Sequence, residues 1–261
     1  MNYVNTYLIK IQFLGFRFHG WQKQPNVKTV HFILDKTLKF VFKGVRYKSI
    51  GVGRTDAKVS AELYAFQLFI DKKVDFDEFI TSFNKNSPAD IKVLSLQTVS
   101  DTFNIIQHPK IKEYRYYFSF GEKNHPFVAP FMINFQDDLD IELMKKGALL
   151  FVGEHFFGNY CTKPTEKTIL YRTIDACFIE KNTVITASFF PNESYVFVVK
   201  GKGFLRNQIR LMMGVLIDLG RGELELDFIK SSLKKDFNIP FLRHIAAASG
   251  LHLHDIKFEK I

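Results

Sequence analysis

The sequence predicts an α+β fold of two ferredoxin-like (split βαβ) domains with mainly antiparallel sheets and a cleft between them. Short stretches in which apolar and polar residues alternate are typical of strands, and between them apolar residues recur at helical spacing. The predicted elements follow the order β-α-β-β-α-β, which is that of a split βαβ unit. The chain has 261 residues, of which 46% are hydrophobic, so it is long enough for two such domains.

The first domain is predicted over residues 1–105. Asp75 is a candidate N-cap for its second helix, and Pro88 is expected to end that helix. The predicted elements are, in order, a strand over 6–13, a helix over 29–42, strands over 46–52 and 62–70, the helix that follows Asp75, and a strand over 91–99.

The second domain is predicted over residues 106–261, after an irregular stretch near 101–111. Its elements form a decorated version of the same unit, and clefts between domains are favoured binding sites. They are a strand over 113–120, a helix over 141–151, strands over 170–180, 184–190 and 195–201, helices over 204–219 and 226–233, and a closing strand over 251–258.

The composition restricts the class of partner. Lys and Arg exceed Asp and Glu by 36 to 27, a net charge of +9, and such a balance favours a polyanion, most commonly nucleic acid. The two cysteines, Cys161 and Cys177, have no cluster of other ligands, so neither a metal site nor a disulfide framework is expected. No apolar run of about 20 residues and no N-terminal signal is visible, which indicates a cytoplasmic protein without membrane contact.

The segment Gly-Arg-Thr-Asp-Ala-Lys at 53–58 is a tight connection between two predicted strands. Arg54 can keep the carboxylate of Asp56 ionised, and a charged, positioned carboxylate can attack carbon as a nucleophile. The alternative is a turn aspartate tied by a salt bridge, because Asp is common in turns. The spacing taken alone favours the turn.

Two further segments carry aromatic or basic side chains. Tyr114 is predicted to lie on one face of its strand, where it either stacks on a base or is half-buried in the core. Arg206 and Arg210 are four residues apart, so in the predicted helix they share a face, and an anion could lie against the start of that helix.

The segment His-Gly-Trp-Gln-Lys-Gln-Pro at 19–25 contains the single tryptophan of the chain. Trp21 and Gln22 either belong to a loop that contacts nucleic acid, or the tryptophan anchors the helix that follows. His155 is interpreted as a structural histidine at a helix end. His252 and His254 lie two apart on the closing strand and are interpreted as surface residues.

Together these segments resemble the tRNA pseudouridine synthase A family, whose enzymes isomerise uridine in tRNA. The resemblance includes a Gly-Arg-Thr-Asp-Ala-Gly-Val-His-Ala motif and extends over nearly the whole chain. Lys58 and Ser60 stand where that motif has Gly and His, and Phe156 stands in place of an Asp. The similar segments are 19–25, 53–61, 86–93, 112–116, 151–161, 204–222 and 246–253.

The resemblance implies a role for each matched residue. Asp56 would be the nucleophile, Arg54 would displace the target uridine from its stack, Tyr114 would stack on the flipped base, and Arg210 would pair with Asp56. It further implies tRNA as substrate, at the uridines of the anticodon stem-loop (positions 38–40), no cofactor, no metal and a homodimer. The residues expected to bind substrate are Lys58, Trp21, Gln22 and Arg206.

Two alternatives remain beside this expectation. One is a relative that binds structured RNA without catalysing a reaction, which the departures at Lys58 and Ser60 keep open. The other, suggested by the charge alone, is a nucleic-acid-binding ferredoxin-like protein unrelated to modification, in which Asp56 has no special role.

Overall fold

The computed structural model describes residues 3–237 and 244–260. The chain divides into two compact units, of which the first comprises Met1–Lys110 and Leu253–Ile261 and the second comprises Ile111–His252. The first unit thus includes the C-terminal residues, whereas the division predicted from the sequence placed all of 106–261 in the second domain.

Helices and strands alternate along most of the described chain. In order they are β1 (Asn5–Phe13), α1 (Val30–Phe42), β2 (Tyr47–Gly51), β3 (Ser60–Ile70), α2 (Phe76–Asn86), β4 (Ile91–Thr98), β5 (Lys110–Phe120), β6 (Ile133–Phe135), α3 (Ile141–Leu149), β7 (Gly153–Phe156), β8 (Tyr171–Lys181), β9 (Tyr195–Gly201), α4 (Gln208–Gly220), α5 (Leu226–Ser232) and β10 (Leu251–Phe258).

In the first unit the strands are ordered β4-β1-β3-β10, and β2 pairs with β3. β1 pairs antiparallel with β3 on one side and with β4 on the other, so its apolar residues Leu8, Ile9 and Ile11 are almost fully buried. From β1 to β4 the observed order is β-α-β-β-α-β, as the alternation of apolar residues predicts.

Local side-chain chemistry sets the ends of the two helices in this unit. The side chain of Thr29 accepts a hydrogen bond from the backbone N–H of Phe32 and caps α1. Asp75 caps α2 in the same way, with its Oδ1 2.9 Å from the N of Glu78. α1 ends at Lys43, whose backbone is left-handed with φ of 46°, a common way to end a helix.

In the second unit β9 lies between β5 and β8 with antiparallel pairing, β7 pairs antiparallel with β8, and the short β6 pairs parallel with β5. Eleven of the thirteen residues of α4 are buried, so this helix is a core element rather than an amphipathic surface helix. Gly147 of α3 allows a close approach to α4, because a Cβ there would lie 2.5 Å from Leu219 Cδ2.

The α+β class with mainly antiparallel strands is confirmed. The arrangement as two ferredoxin-like domains with a cleft stays a prediction. The strand predicted over 184–190 is wrong, because the side chain of Asn182 accepts hydrogen bonds from the N–H groups of Val184 and Ile185 and donates to the carbonyl of Ile185. These bonds occupy the groups that a sheet would use. The three and four residues of β6 and β7 are too short to show a periodicity.

Three histidines lie elsewhere than expected. His155 is on β7 rather than at a helix end, with its Nε2 2.9 Å from the carbonyl oxygen of Val152. His252 is 3% exposed and packs against the ring of Tyr117, so it is a core residue. His254 is partly buried, with its Nδ1 2.7 Å from Oε2 of Glu62. Neither His252 nor His254 therefore belongs to a free surface.

Candidate active site

The Arg-Thr-Asp segment is the connection between β2, which ends at Gly51, and β3, which begins at Ser60. It closes with a turn in which the N–H of Val59 donates to the carbonyl of Asp56 at 3.2 Å. Lys58, inside this turn, has a left-handed backbone with φ of 68°. From the middle of β3 the hydroxyl of Tyr64 donates to the carbonyl of Gly53 at 2.5 Å. Both ends of the segment are therefore held.

A second segment, residues 15–21, clamps this loop through main-chain contacts. The N–H of Lys58 donates to the carbonyl of Phe18 at 2.9 Å, and the N–H of Trp21 donates to the carbonyl of Thr55 at 3.2 Å. The N–H of Gly15 donates to the hydroxyl of Ser60 at 2.9 Å. The two bonds to Lys58 and Thr55 join backbone groups only, so they do not depend on which side chains the loop carries, whereas the third needs the hydroxyl of Ser60.

Two glycines make this close approach possible. A Cβ at Gly15 would lie 1.9 Å from the carbonyl oxygen of Val59, and a Cβ at Gly20 would lie 2.3 Å from that of Thr55. Gly20 also has φ of 79°, which L side chains rarely adopt. Any side chain at these positions would push the backbone beside Asp56 out of place.

Trp21 lies beneath the loop and is 2% exposed. Its ring stacks on Tyr64 at a centroid distance of 4.1 Å and on His31 at 5.1 Å. A Cβ at Gly51 would lie 2.5 Å from the indole, so glycine leaves room for the stack. Buried in this way, the indole anchors the loop rather than presenting a face to a ligand, whereas the neighbouring Gln22 is exposed.

The loop presents charged side chains to solvent. Arg54 and Lys58 are exposed and Asp56 is half-buried between them. A carboxylate on a backbone that is held on both sides loses little freedom when it meets a substrate, which is the property that an attacking group needs. The loop therefore combines one positioned carboxylate with two cations that are accessible to a polyanion.

In the second unit, Tyr114 is half-buried on β5 and meets the ring of Phe204 edge-on at 5.3 Å. Beside it, Glu113 accepts hydrogen bonds from Arg115 and Lys200, each at 2.9 Å. Burial alone would raise the pKa of Glu113, but these two cations outweigh burial and hold that pKa below its ordinary value. The charges next to Tyr114 are thus compensated, and its ring has an aromatic neighbour that can fix its orientation.

Arg210 lies in the first turn of α4 and is half-buried. Its Nε donates to the carbonyl of Ala246 at 2.7 Å, and its Nη1 donates to Oδ1 of Asn207 at 3.2 Å. The hydroxyl of Tyr116 donates to the carbonyl of Ala247 at 2.8 Å, and burial raises the pKa of this phenol above its ordinary value. The neutral hydroxyl of Tyr116 therefore holds in place the segment at Ala246 and Ala247, whose carbonyl at Ala246 orients the Arg210 guanidinium.

Arg206 is not on the same helix face as Arg210, because α4 begins only at Gln208. Asn207 interrupts the helix with a left-handed backbone, φ of 60°, and places Arg206 in the preceding turn, where its side chain is exposed. The amide of Asn207 donates to Thr162 Oγ1 at 2.8 Å. The helix predicted over 204–219 therefore starts too early.

The structure places Arg54, Asp56, Lys58, Trp21 and Gln22 together in the first unit. The other predicted site residues, Tyr114, Arg206 and Arg210, belong to the second unit. Sequence reasoning did not single out three residues that orient them, namely Tyr64, Phe204 and Asn207. For Asn207 the sequence did contain a signal: an asparagine three residues before an arginine, near the predicted start of a helix, can accept a hydrogen bond from that arginine.

Within residues 3–237 and 244–260, no group of three or more His, Cys, Asp or Glu side chains is placed to hold a metal ion. Over the same residues, no helix has the length and apolar character needed to cross a membrane. Of the two cysteines, both free, Cys177 is buried and Cys161 is partly buried, and burial raises the pKa of each thiol.

Comparison with known proteins shows one consistent similarity. Residues 148–259 match the family model described as tRNA pseudouridine synthase. The tRNA pseudouridine synthase A of Listeria monocytogenes serotype 4a (strain HCC23) is 29% identical over 257 residues, which are 98% of this chain and 100% of that relative. The enzyme of the same name from Streptococcus thermophilus (strain CNRZ 1066) is 28% identical over 254 residues, 97% of this chain and 99% of the relative.

The α+β fold, the Arg-Thr-Asp loop and these matches define an isomerase of the pseudouridine synthase class. The chain is similar to the tRNA pseudouridine synthase A enzymes over nearly its whole length, and its residues 148–259 match the family model.

Proposed function

We propose that this chain converts uridine to pseudouridine in tRNA, in the anticodon stem-loop, with Asp56 as the nucleophile. One observation carries the proposal: the half-buried carboxylate of Asp56 lies on a loop whose backbone is held by Tyr64 and by residues 15–21. The full-length similarity to enzymes named tRNA pseudouridine synthase A supports tRNA as the substrate.

The reaction is an isomerisation, so every atom of the uridine is retained. An oxygen of Asp56 adds to a carbon of the target nucleotide, and the bond between N1 of uracil and C1′ of ribose breaks. With the carboxylate bonded to C1′ the uracil leaves as an anion and rotates; its C5 then bonds to C1′ as the bond from C1′ to the carboxylate breaks. The proton on C5 leaves and N1 gains a proton. These steps need no oxidant, reductant or cofactor, and the proposal includes none.

The remaining residues serve to reach and hold the base. A uridine inside a stem must be turned out of its stack, which costs a few kcal/mol. We assign this displacement to Arg54, whose exposed side chain supports the role. For Tyr114 and Arg210 the family resemblance implies two further roles, stacking on the extruded uracil and keeping the carboxylate of the nucleophile ionised. The exposed side chains Gln22, Lys58 and Arg206 contact the RNA.

The partners follow from the same proposal. With a net charge of +9 the protein attracts the polyanionic tRNA, and we expect it to act as a cytoplasmic homodimer. Binding should weaken as salt concentration rises, because counterions are released when phosphates are neutralised.

Tritium release tests the proposal. A tRNA transcript labelled with tritium at C5 of uridine loses the label only when C5 forms its new bond. We expect release with the wild-type chain, none with Asp56→Asn, and wild-type release with Asp101→Asn, which changes an exposed carboxylate in another loop. Tight tRNA binding by the wild-type chain without release from any tRNA would favour an RNA-binding relative without catalysis and refute the proposal.

A further inference from the structure

Lys58 occupies a backbone conformation that suits glycine. Its φ of 68° lies in the left-handed region, which residues with a side chain adopt at a cost that glycine does not have. The residue cannot relax away from this conformation, because its N–H is bonded to the carbonyl of Phe18 and the turn closes between Asp56 and Val59. A lysine here is therefore retained against a conformational cost.

The side chain of Lys58 is exposed and lies against an aromatic ring. Its ammonium lies over the ring of Phe16, 5.6 Å from the centroid, a distance at which a cation is attracted to the π face. Phe16 is itself 37% exposed. A lysine that rests on an exposed ring keeps its charge in water and stays available to an anion, unlike one that is tied to a carboxylate.

The position of this cation relates it to the proposed nucleophile. Lys58 follows Asp56 by two residues, which span at most about 7 Å of backbone. Any RNA that delivers a nucleotide to Asp56 must bring the phosphates on either side of that nucleotide to the same loop. Arg54, on the other side of Asp56, has the separate task of displacing the base.

We propose that Lys58, supported by the face of Phe16, binds a backbone phosphate of the tRNA next to the target uridine. This inference rests on the proposed function, since it places RNA at the Asp56 loop. Lys58 then increases the affinity for the substrate while its strained backbone lowers the stability of the fold. Phe16 joins the site as a residue that positions the ammonium of Lys58.

A matched control is present in the same unit. Lys43, at the end of α1, is also an exposed lysine with a left-handed backbone, φ of 46°, and lies outside the loop. Lys58→Gly and Lys43→Gly therefore remove the same charge and relieve the same kind of strain. Both should raise the Tm by about 2–4 °C, because glycine adopts positive φ at little cost.

The two variants should differ in RNA binding. Lys58→Gly should weaken binding of an unmodified tRNA transcript about three- to tenfold and lower the slope of log Kd against log salt by about 1, as expected for one lost phosphate contact. Lys43→Gly should bind as the wild type does. Lys58→Asn should weaken tRNA binding as much as Lys58→Gly does, because asparagine also tolerates the left-handed backbone. Phe16→Leu should weaken tRNA binding less.

Equal affinity and equal salt slope for Lys58→Gly and Lys43→Gly would overturn the inference and mark Lys58 as a tolerated surface lysine. Tritium release by the wild-type chain, measured on the same tRNA, separates this result from failure of the proposed function. If the wild-type chain releases tritium while the two variants bind alike, only the role of Lys58 is refuted. If the wild-type chain neither binds tRNA nor releases tritium, both proposals are refuted.

Discussion

Gly20→Ala should damage the candidate active site from outside the Arg-Thr-Asp loop. The added Cβ would lie 2.3 Å from the carbonyl oxygen of Thr55, whereas an ordinary contact needs about 3.5 Å. The two groups must therefore separate by roughly 1 Å. The oxygen that must move belongs to the peptide bond leading into Asp56, and it also accepts the N–H of Trp21.

The magnitude follows from two costs. The positive φ of 79° costs an alanine about 1 kcal/mol, and forcing the contact apart adds about 1–3 kcal/mol. The free energy of unfolding should thus fall by about 2–4 kcal/mol, which lowers Tm by roughly 5–15 °C in a chain of this size. A displacement of about 1 Å at a nucleophile can lower turnover about 100-fold, so kcat should fall more than binding does.

Gly44→Ala separates the two costs. Gly44 has φ of 91°, but a Cβ there would meet no atom within 4 Å. This variant should lose about 1 kcal/mol of stability and keep the wild-type kcat. Thermal unfolding and single-turnover tritium release measure both quantities on both variants. A Gly20→Ala chain that is folded and turns over at the wild-type rate would show that the backbone clamp does not place Asp56.

Two further predictions concern groups that support the site. Asn207→Gly keeps the left-handed backbone but removes the side chain that accepts a hydrogen bond from Arg210 Nη1. Because a hydrogen bond to a charged group is lost, kcat should fall about tenfold. The control Asn26→Gly, at another left-handed asparagine, should leave kcat unchanged. Burial and the nearby Lys23 lower the pKa of His31 from 6.5 to about 4. As the pH falls below 6.5, this histidine is therefore protonated in the unfolded chain before it is protonated in the folded chain. The free energy of unfolding present above pH 6.5 should consequently decline as the pH falls towards 4. Urea unfolding at pH 7.5 and 5 should show a larger loss for the wild type than for His31→Phe; equal losses would contradict this reasoning.

Much of the first unit could be predicted because its signals are local. Thr29 and Asp75 cap helices through bonds to residues three positions ahead, and most of the apolar residues that predicted β1 and β3 are buried. The strand predicted over 184–190 is absent for a reason that is also local, but that the spacing of apolar residues does not show. Its apolar residues alternate, but the side chain of Asn182 binds the backbone that would have paired, and such competition is invisible to a periodicity.

The site shows the same division. The residue types of the Arg-Thr-Asp segment can be read along the chain, and they carry the family resemblance. The backbone clamp cannot be predicted in this way, because the contacts of Gly15 with Ser60 and of Gly20 with Thr55 join residues more than thirty positions apart in the sequence. The displaced start of α4 depends on the backbone angle of Asn207, which no spacing of arginines reveals.

The backbone clamp also bears on how such an enzyme could diversify or be engineered. Residues 54, 57 and 58 have exposed side chains on a main chain whose course is imposed by other segments. Substitution of these side chains should leave the backbone of the loop in place. Single substitutions could therefore change the preference for RNA without redesign of the backbone. A combinatorial library at positions 57 and 58 would be the economical place to search for altered target choice.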